Sequence, residues 1–154
     1  MFWTPERRPD GRNLALTIDP PLRAWPVESL RTGHARPTDR PNAWAAAPHD
    51  PRPALHLRWP EPRRISRVHL AFDTDHDHAM ESVLGDHTER AVPFCVRDYT
   101  RRASGHVIAE RRDNHQTRNV IVLDEPVTTD DLSLEIPAPH GDVPASVFEV
   151  RCYG

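Results

Sequence analysis

Proline placement is the tightest constraint on this chain. Twelve of its 17 prolines fall within residues 1–63, and five fall in the remaining 91. Proline fixes φ, lacks an N–H and breaks helix interiors. The first 60 residues therefore exclude a long helix and read as loops carrying short strands, at 14–18 and 54–59. In the second of these, Leu55, Leu57 and Trp59 share one face while His56 and Arg58 share the other. That period of two predicts a half-buried strand.

The alternation continues downstream. Ile65, Val68, Leu70 and Phe72 mark a strand over 64–72, with a register irregularity near Ser66 and Arg67 that reads as a bulge. Phe94, Val96 and Asp98 oppose Cys95, Arg97 and Tyr99. Apolar runs follow at 107–109, 120–123, 132–136 and 147–153. The best helical candidate, 79–84, is short, and no internal repeat is visible. Seven or eight short strands with turn-like spacers predict an all-β antiparallel sandwich or barrel.

Length and charge exclude several classes. The 154 residues suit one domain and are too few for a nucleotide-binding domain plus a substrate domain. Net charge is −3, with 20 arginines against 23 acids. A nucleic-acid protein would carry a basic excess, so neither nucleic acid nor a membrane surface is an expected partner. No apolar run approaches the ~20 residues that span a bilayer. The start, from Met1 to Arg8, lacks a charged residue followed by an apolar stretch, so no signal peptide is expected. Two cysteines, Cys95 and Cys152, make no disulfide framework. A cytoplasmic protein with free thiols is expected. Lysine is absent, which removes Schiff-base chemistry.

Several stretches carry groups capable of chemistry. The loop 73–89 holds Asp73, Asp75, His76, Asp77, His78, Glu81, Asp86, His87 and Glu89. Alternating Asp and His can converge on a cation, with Asp75, His76 and His78 as the candidate ligands. No zinc spacing is present. A calcium loop counted from Asp73 fails at its sixth and twelfth positions, where His78 and Leu84 stand. A solvated polar loop is the competing reading, and a metal-dependent enzyme built on this loop is the sharper one. No G-x-S-x-G elbow and no glycine-rich phosphate loop occurs. Cys95 and Cys152 sit inside alternating strands and read as small core residues.

Three other clusters combine donors, acceptors and flat faces. They are Thr32 to Pro37 followed by Asn42-Ala43-Trp44, then Val96-Arg97-Asp98-Tyr99, then Asp113-Asn114-His115-Gln116-Thr117-Arg118. Such groups suit sugar hydroxyls or a partner's backbone. The competing reading of the last is a polar turn in which Asn114 satisfies loop backbone groups.

The order of these clusters, together with Leu55-His56-Leu57-Arg58-Trp59, the run from Ile65 to Asp75 and the run from Val147 to Tyr153, resembles a known domain. It is similar to the C-terminal galactose-binding-like β-sandwich of bacterial FAD-dependent oxidoreductases, related in fold to discoidin and carbohydrate-binding jelly rolls. The resemblance covers residues 13–154, leaving 1–12 as an N-terminal arm. It implies an antiparallel jelly roll of about eight strands. The flavin domain itself is missing, so FAD would belong to a partner and not to this chain. The implied role is a non-catalytic accessory or interaction domain for a flavin oxidoreductase. A carbohydrate-binding module is the alternative. Candidate ligand- or partner-binding residues are Arg36, Asn42, Trp44, Asp73, Asp98, Tyr99, Asn114, Gln116 and Arg118. Related modules hold a structural calcium near the first loops, which the resemblance maps to Thr32 and Glu149.

Overall fold

In the computed structural model, residue 19 and residues 25–73 and 92–154 are described. The expected arm at 1–12, the strand at 14–18, the helical candidate at 79–84 and Asp75, His76 and His78 lie outside them. A 3₁₀ turn, Val27–Arg31, leads into six strands. These are β1 (Trp44–Ala45), β2 (Ala54–Phe72), β3 (Val96–Ala103), β4 (His106–Arg111), β5 (Arg118–Pro139) and β6 (Ser146–Tyr153). All pairings are antiparallel, in the order β1-β6-β2-β5-β3-β4. The all-β antiparallel expectation is met.

Among the described residues, strands expected as separate are merged for a physical reason. The runs expected as separate strands at 54–59 and 64–72 are one strand, β2, and those at 120–123 and 132–136 are one strand, β5. Each is hydrogen-bonded in two sections. Residues 54–58 of β2 pair with 131–135 of β5, and residues 63–71 pair with 118–129. β3 joins the late section of β5, while β6 joins the late section of β2. The ladder thus folds over on itself into two layers that share β2 and β5. Pro60 and Pro62 fall in the unpaired gap between Arg58 and Arg63. Pro126 falls between the paired residues Val122 and Val127. A missing N–H costs no ladder bond at those places, so the prolines mark corners and not strand ends. The expected irregularity near Ser66 is present as a register shift between Ile65 and Arg67.

The layers close on one core. Leu55, Val96, Leu132, Leu134 and Ile136 come from one side, and Ile65, Val68, Leu70, Phe72 and Val147 from the other. The Phe72 and Tyr99 rings meet across it at 5.4 Å, tilted by 49°. A smaller cluster of Ala43, Ala71 and Phe148, with Ala35 against it, holds the early segment on the outside of β2 and β6. Cys95 is buried and Cys152 partly buried, both as free thiols. Burial pushes the Cys95 thiol up to about 11, and the nearby Asp73 charge adds to the effect. Both cysteines are therefore protonated packing groups.

One core member is unexpected. Arg101 has 0% exposure, and its Nε, Nη1 and Nη2 have no hydrogen-bond partner among the described residues. It lies between Tyr99 and Ala103 on the inward face of β3, with the Cys152 thiol beside it. Burial lowers its pKa from the ordinary arginine value, and Cys152 offsets part of that. A buried guanidinium beside a neutral thiol, with no hydrogen bond among the described residues, costs stability that an apolar side chain of similar length would not.

Two predictions follow from this packing. Arg101→Met is expected to raise stability by about 1–3 kcal/mol, read as a higher urea midpoint; a lower midpoint would mean that the guanidinium holds the fold together. Phe72→Ala is expected to cost about 3–5 kcal/mol by the same assay.

Candidate functional site

The strands define two ends. β2 and β5 turn their corners at one end, near Pro60 and Pro126. The other end is open and carries the loops 46–53, 92–95, 112–117 and 140–145. Asp73 lies there too, after the last residue of β2.

Hydrogen bonds lock the open-end loops together. Asn114 is buried, and its amide donates to the Val96 carbonyl at 2.7 Å and the Gln116 carbonyl at 3.0 Å. Its own side-chain oxygen accepts from the Gln116 N–H at 3.2 Å. Its main-chain oxygen meets His140 Nε2 at 2.6 Å. The Asn114 N–H donates to Arg97 O, and the His140 N–H donates to Cys95 O. Asn119 donates to Gln116 O at 2.9 Å and accepts from the Tyr99 hydroxyl at 3.0 Å. Asp98 Oδ1 accepts from the Asp113 N–H at 3.0 Å, and Arg97 donates to Asp98 Oδ2 at 3.1 Å. Asp113 needs this support because its φ is +49°, in the left-handed region.

Burial works against ionisation of Asp98, yet the Asp113 N–H and the Arg97 guanidinium outweigh it and hold the carboxyl below its ordinary value. A depressed carboxyl adds stability above its unfolded pKa and loses it as pH falls through the folded pKa.

Several of the sequence candidates therefore converge. Asp98, Tyr99, Asn114 and the carbonyl of Gln116 belong to one hydrogen-bonded set. Within it, Tyr99 and Asn114 are buried pins, while the Gln116 side chain faces outward. Asn42 is a second pin: at φ +52° it is buried and donates to Thr38 Oγ1 at 2.8 Å and Arg36 O at 3.3 Å. Trp44 lies half-buried in β1 against the main core. Arg36 and Arg118 are exposed, Arg118 at the start of β5 beside Asn119.

The proposed calcium donors do not suit a calcium ion. The Thr32 hydroxyl donates to Ser29 O at 3.1 Å and accepts weakly from the His34 N–H at 3.4 Å. The nearly buried Glu149 carboxylate is held by Arg151 at 2.6 Å. The same Arg151 guanidinium lies 3.4 Å from Gly33 O. A guanidinium of the chain thus already supplies positive charge between the last strand and the first loop. Among the described residues, no group of three His, Cys, Asp or Glu side chains converges on a metal position.

Of the groups the locked loops display, Gln116 was a candidate in the sequence and His115 lay in the same cluster, whereas Phe94 and Asp142 were not singled out. Phe94 is 37% exposed in the turn before β3. His115 and Gln116 project from the adjacent loop, with Cys95 Sγ 3.9 Å from Gln116 O tying the two loops side by side. Gly141 packs so closely on Pro93 that an added Cβ would stand 2.7 Å from it. Next to Gly141, Asp142 lines a cleft of about 200 Å³ with His49, Asp50 and the prolines 48, 53, 137, 139 and 144. The run Pro137-Ala138-Pro139-His140-Gly141-Asp142 is the turn signal that could have marked this part of the rim. Two larger hollows, of about 560 and 570 Å³, lie elsewhere and share Trp59 and Cys152.

The fold is similar to that of several solved structures. The family 32 carbohydrate-binding module from Streptococcus pneumoniae EndoD matches with a TM-score of 0.63 and 18% identity, over 89% of this chain and 90% of that one. A chitosan-binding module from a Paenibacillus sp. IK-5 chitosanase/glucanase matches at 0.63 and 11% identity, over 86% and 87%. The family 32 module of Clostridium perfringens NanJ, solved with galactose, matches at 0.60 and 16%, over 86% and 88%. No family model and no curated protein sequence matches. The chain has the galactose-binding-like β-sandwich fold of these modules. Nothing in the comparisons supports an origin in a flavin oxidoreductase.

Two outcomes test the site description. Asp98→Asn is expected to lower the melting temperature at pH 7 and to bring the variant and the parent together as pH falls through the folded pKa of Asp98; a gap that persists in acid would contradict the pairing. Arg151→Met, which strands Glu149, is expected to lower the melting temperature, while added calcium or chelator leaves the parent's melting temperature unchanged.

Proposed function

We propose that this chain is a non-catalytic carbohydrate-binding module that takes its ligand at the open end. One observation carries the reading. The loops there are held rigid by buried polar pins, while an aromatic face and planar polar groups remain outward. Phe94 offers the flat apolar face, and Gln116, His115 and Asp142 offer donors and acceptors for hydroxyls. Loops set in advance lose little entropy on binding. Neutral, hydroxyl-rich ligands suit such a rim, whose described outward groups mix an amide, an imidazole and a carboxylate. The fold shared with carbohydrate-binding modules supports this reading over an appendage of a flavin oxidoreductase.

The reading requires no redox or hydrolytic residue. Both thiols are protonated packing groups, and their free state suits a reducing compartment.

Isothermal titration calorimetry with galactose, N-acetylgalactosamine and chitotriose tests the proposal, since these are the ligands in structures of the same fold. At least one is expected to bind saturably, with Kd at about 1 mM or tighter, equivalent to about −4 kcal/mol. Phe94→Ala and Gln116→Ala are expected to weaken it about tenfold each. Absence of heat with all three sugars would overturn the reading. Binding that survives both substitutions but is lost in Trp59→Ala would move the site to the hollows beside Trp59.

A further inference from the structure

Among the described residues, the first section of β5 is an edge of its layer. Residues 118–122 pair with β2 on one side, and no described strand pairs with them on the other. The Phe72 N–H donates to Thr117 O at 2.7 Å. Main-chain groups alternate in an antiparallel ladder, so residues 117, 119 and 121 bond toward β2. Those of Arg118, Val120 and Val122 then face outward from the edge. The side chains follow the same parity. Asn119 is buried and Ile121 half-buried, whereas Arg118, Val120, Val122 and Asp124 are exposed. Val120 is 53% exposed and Val122 70%, the latter the most exposed large apolar side chain among the described residues. No proline or lysine guards the stretch 118–124. Natural edges usually carry such protection.

The sequence of this edge is complementary to itself. In an antiparallel pairing of two copies centred on Ile121, Val120 of one copy stands opposite Val122 of the other. Arg118 then stands opposite Asp124, twice by symmetry. Within the chain, neither Arg118 nor Asp124 has an ion pair among the described residues. The register thus satisfies at once two outward valines and the main-chain groups and charges that have no partner among the described residues. A slip by one residue would set side chains from opposite faces against each other. A slip by two would place Arg118 opposite Val122 or Pro126.

We propose that residues 118–124 form a self-association surface whose partner is a second copy of this chain, joined edge to edge about a two-fold axis at Ile121. The pairing is isologous, so it closes at a dimer and does not propagate. The area is small, which places it among weak interfaces. Antiparallel joining directs the open ends of the two copies in opposite directions. On the carbohydrate reading above, such a dimer bridges separate ligands; the dimer itself stands independently of that reading.

Sedimentation equilibrium of the full chain, across about 10–500 µM, tests it. These concentrations span the weak range expected of an interface this small. The parent is expected to show a monomer–dimer equilibrium. Arg118→Asp alone and Asp124→Arg alone each set like charges opposite and are expected to weaken association at least about tenfold. The double variant restores the pairing with its polarity reversed and is expected to recover the parent's dimer. All four proteins should show the same melting curve at low concentration, since these side chains are exposed and have no ion pair among the described residues. A parent that stays monomeric throughout would overturn the proposal. So would a dimer that is indifferent to the single reversals, or one that the double variant fails to restore.

Discussion

Two strands carry both layers of this protein, and everything else hangs on that sharing. β2 and β5 pair with one another twice, once in each layer, and turn the corner between layers side by side. The unpaired stretch 59–62 of β2 and the shift around 123–126 of β5 fall at the same end, separated by the paired segment of 63–65 with 127–129. The main chain loses little there, because three prolines occupy positions with no ladder bond to lose. A sandwich built this way has one closed end and one open end. The loops that can carry a ligand are therefore collected at the end away from the corners.

Polar groups at the open end do structural work before any binding. Asn114 alone bridges β3, its own loop and the β5–β6 loop. Asp98 fixes Asp113 in a left-handed conformation. Near the first loop, Arg151 ties Glu149 to the Gly33 carbonyl. Each of these is a short side chain or a fork of donors meeting main-chain groups that no ladder satisfies. They leave the outward faces of Phe94, His115 and Gln116 free of internal commitments in the hydrogen bonds described. Rigidity and display are thus separate jobs assigned to separate residues.

Much of the fold was legible from alternation. Leu55, Leu57 and Trp59, and likewise Ile65, Val68 and Leu70, point inward as their spacing predicts, and the irregularity near Ser66 is a true register shift. The continuity of β2 through Pro60 and Pro62 was not legible, since proline signals a break and only register shows that the break costs nothing. The two-residue β1 lies below the length at which a period of two is detectable. Arg101 was hidden because an arginine in a run of Arg and Thr reads as solvated, while strand parity buries it. In the site, the Asn114 turn matched the reading in which it satisfies its own loop. Phe94 escaped notice because alternation assigned it to a strand face, whereas β3 begins two residues later, at Val96.

The central claim is that the open end is the ligand-binding end. Amide chemical-shift mapping by NMR during a galactose or chitotriose titration addresses it most directly. The account predicts shifts concentrated in 92–95, 112–117 and 140–145, with the corner residues 59–64 and 123–130 unmoved. Shifts centred on Trp59, Val150 and Cys152, with the open-end loops silent, would contradict it.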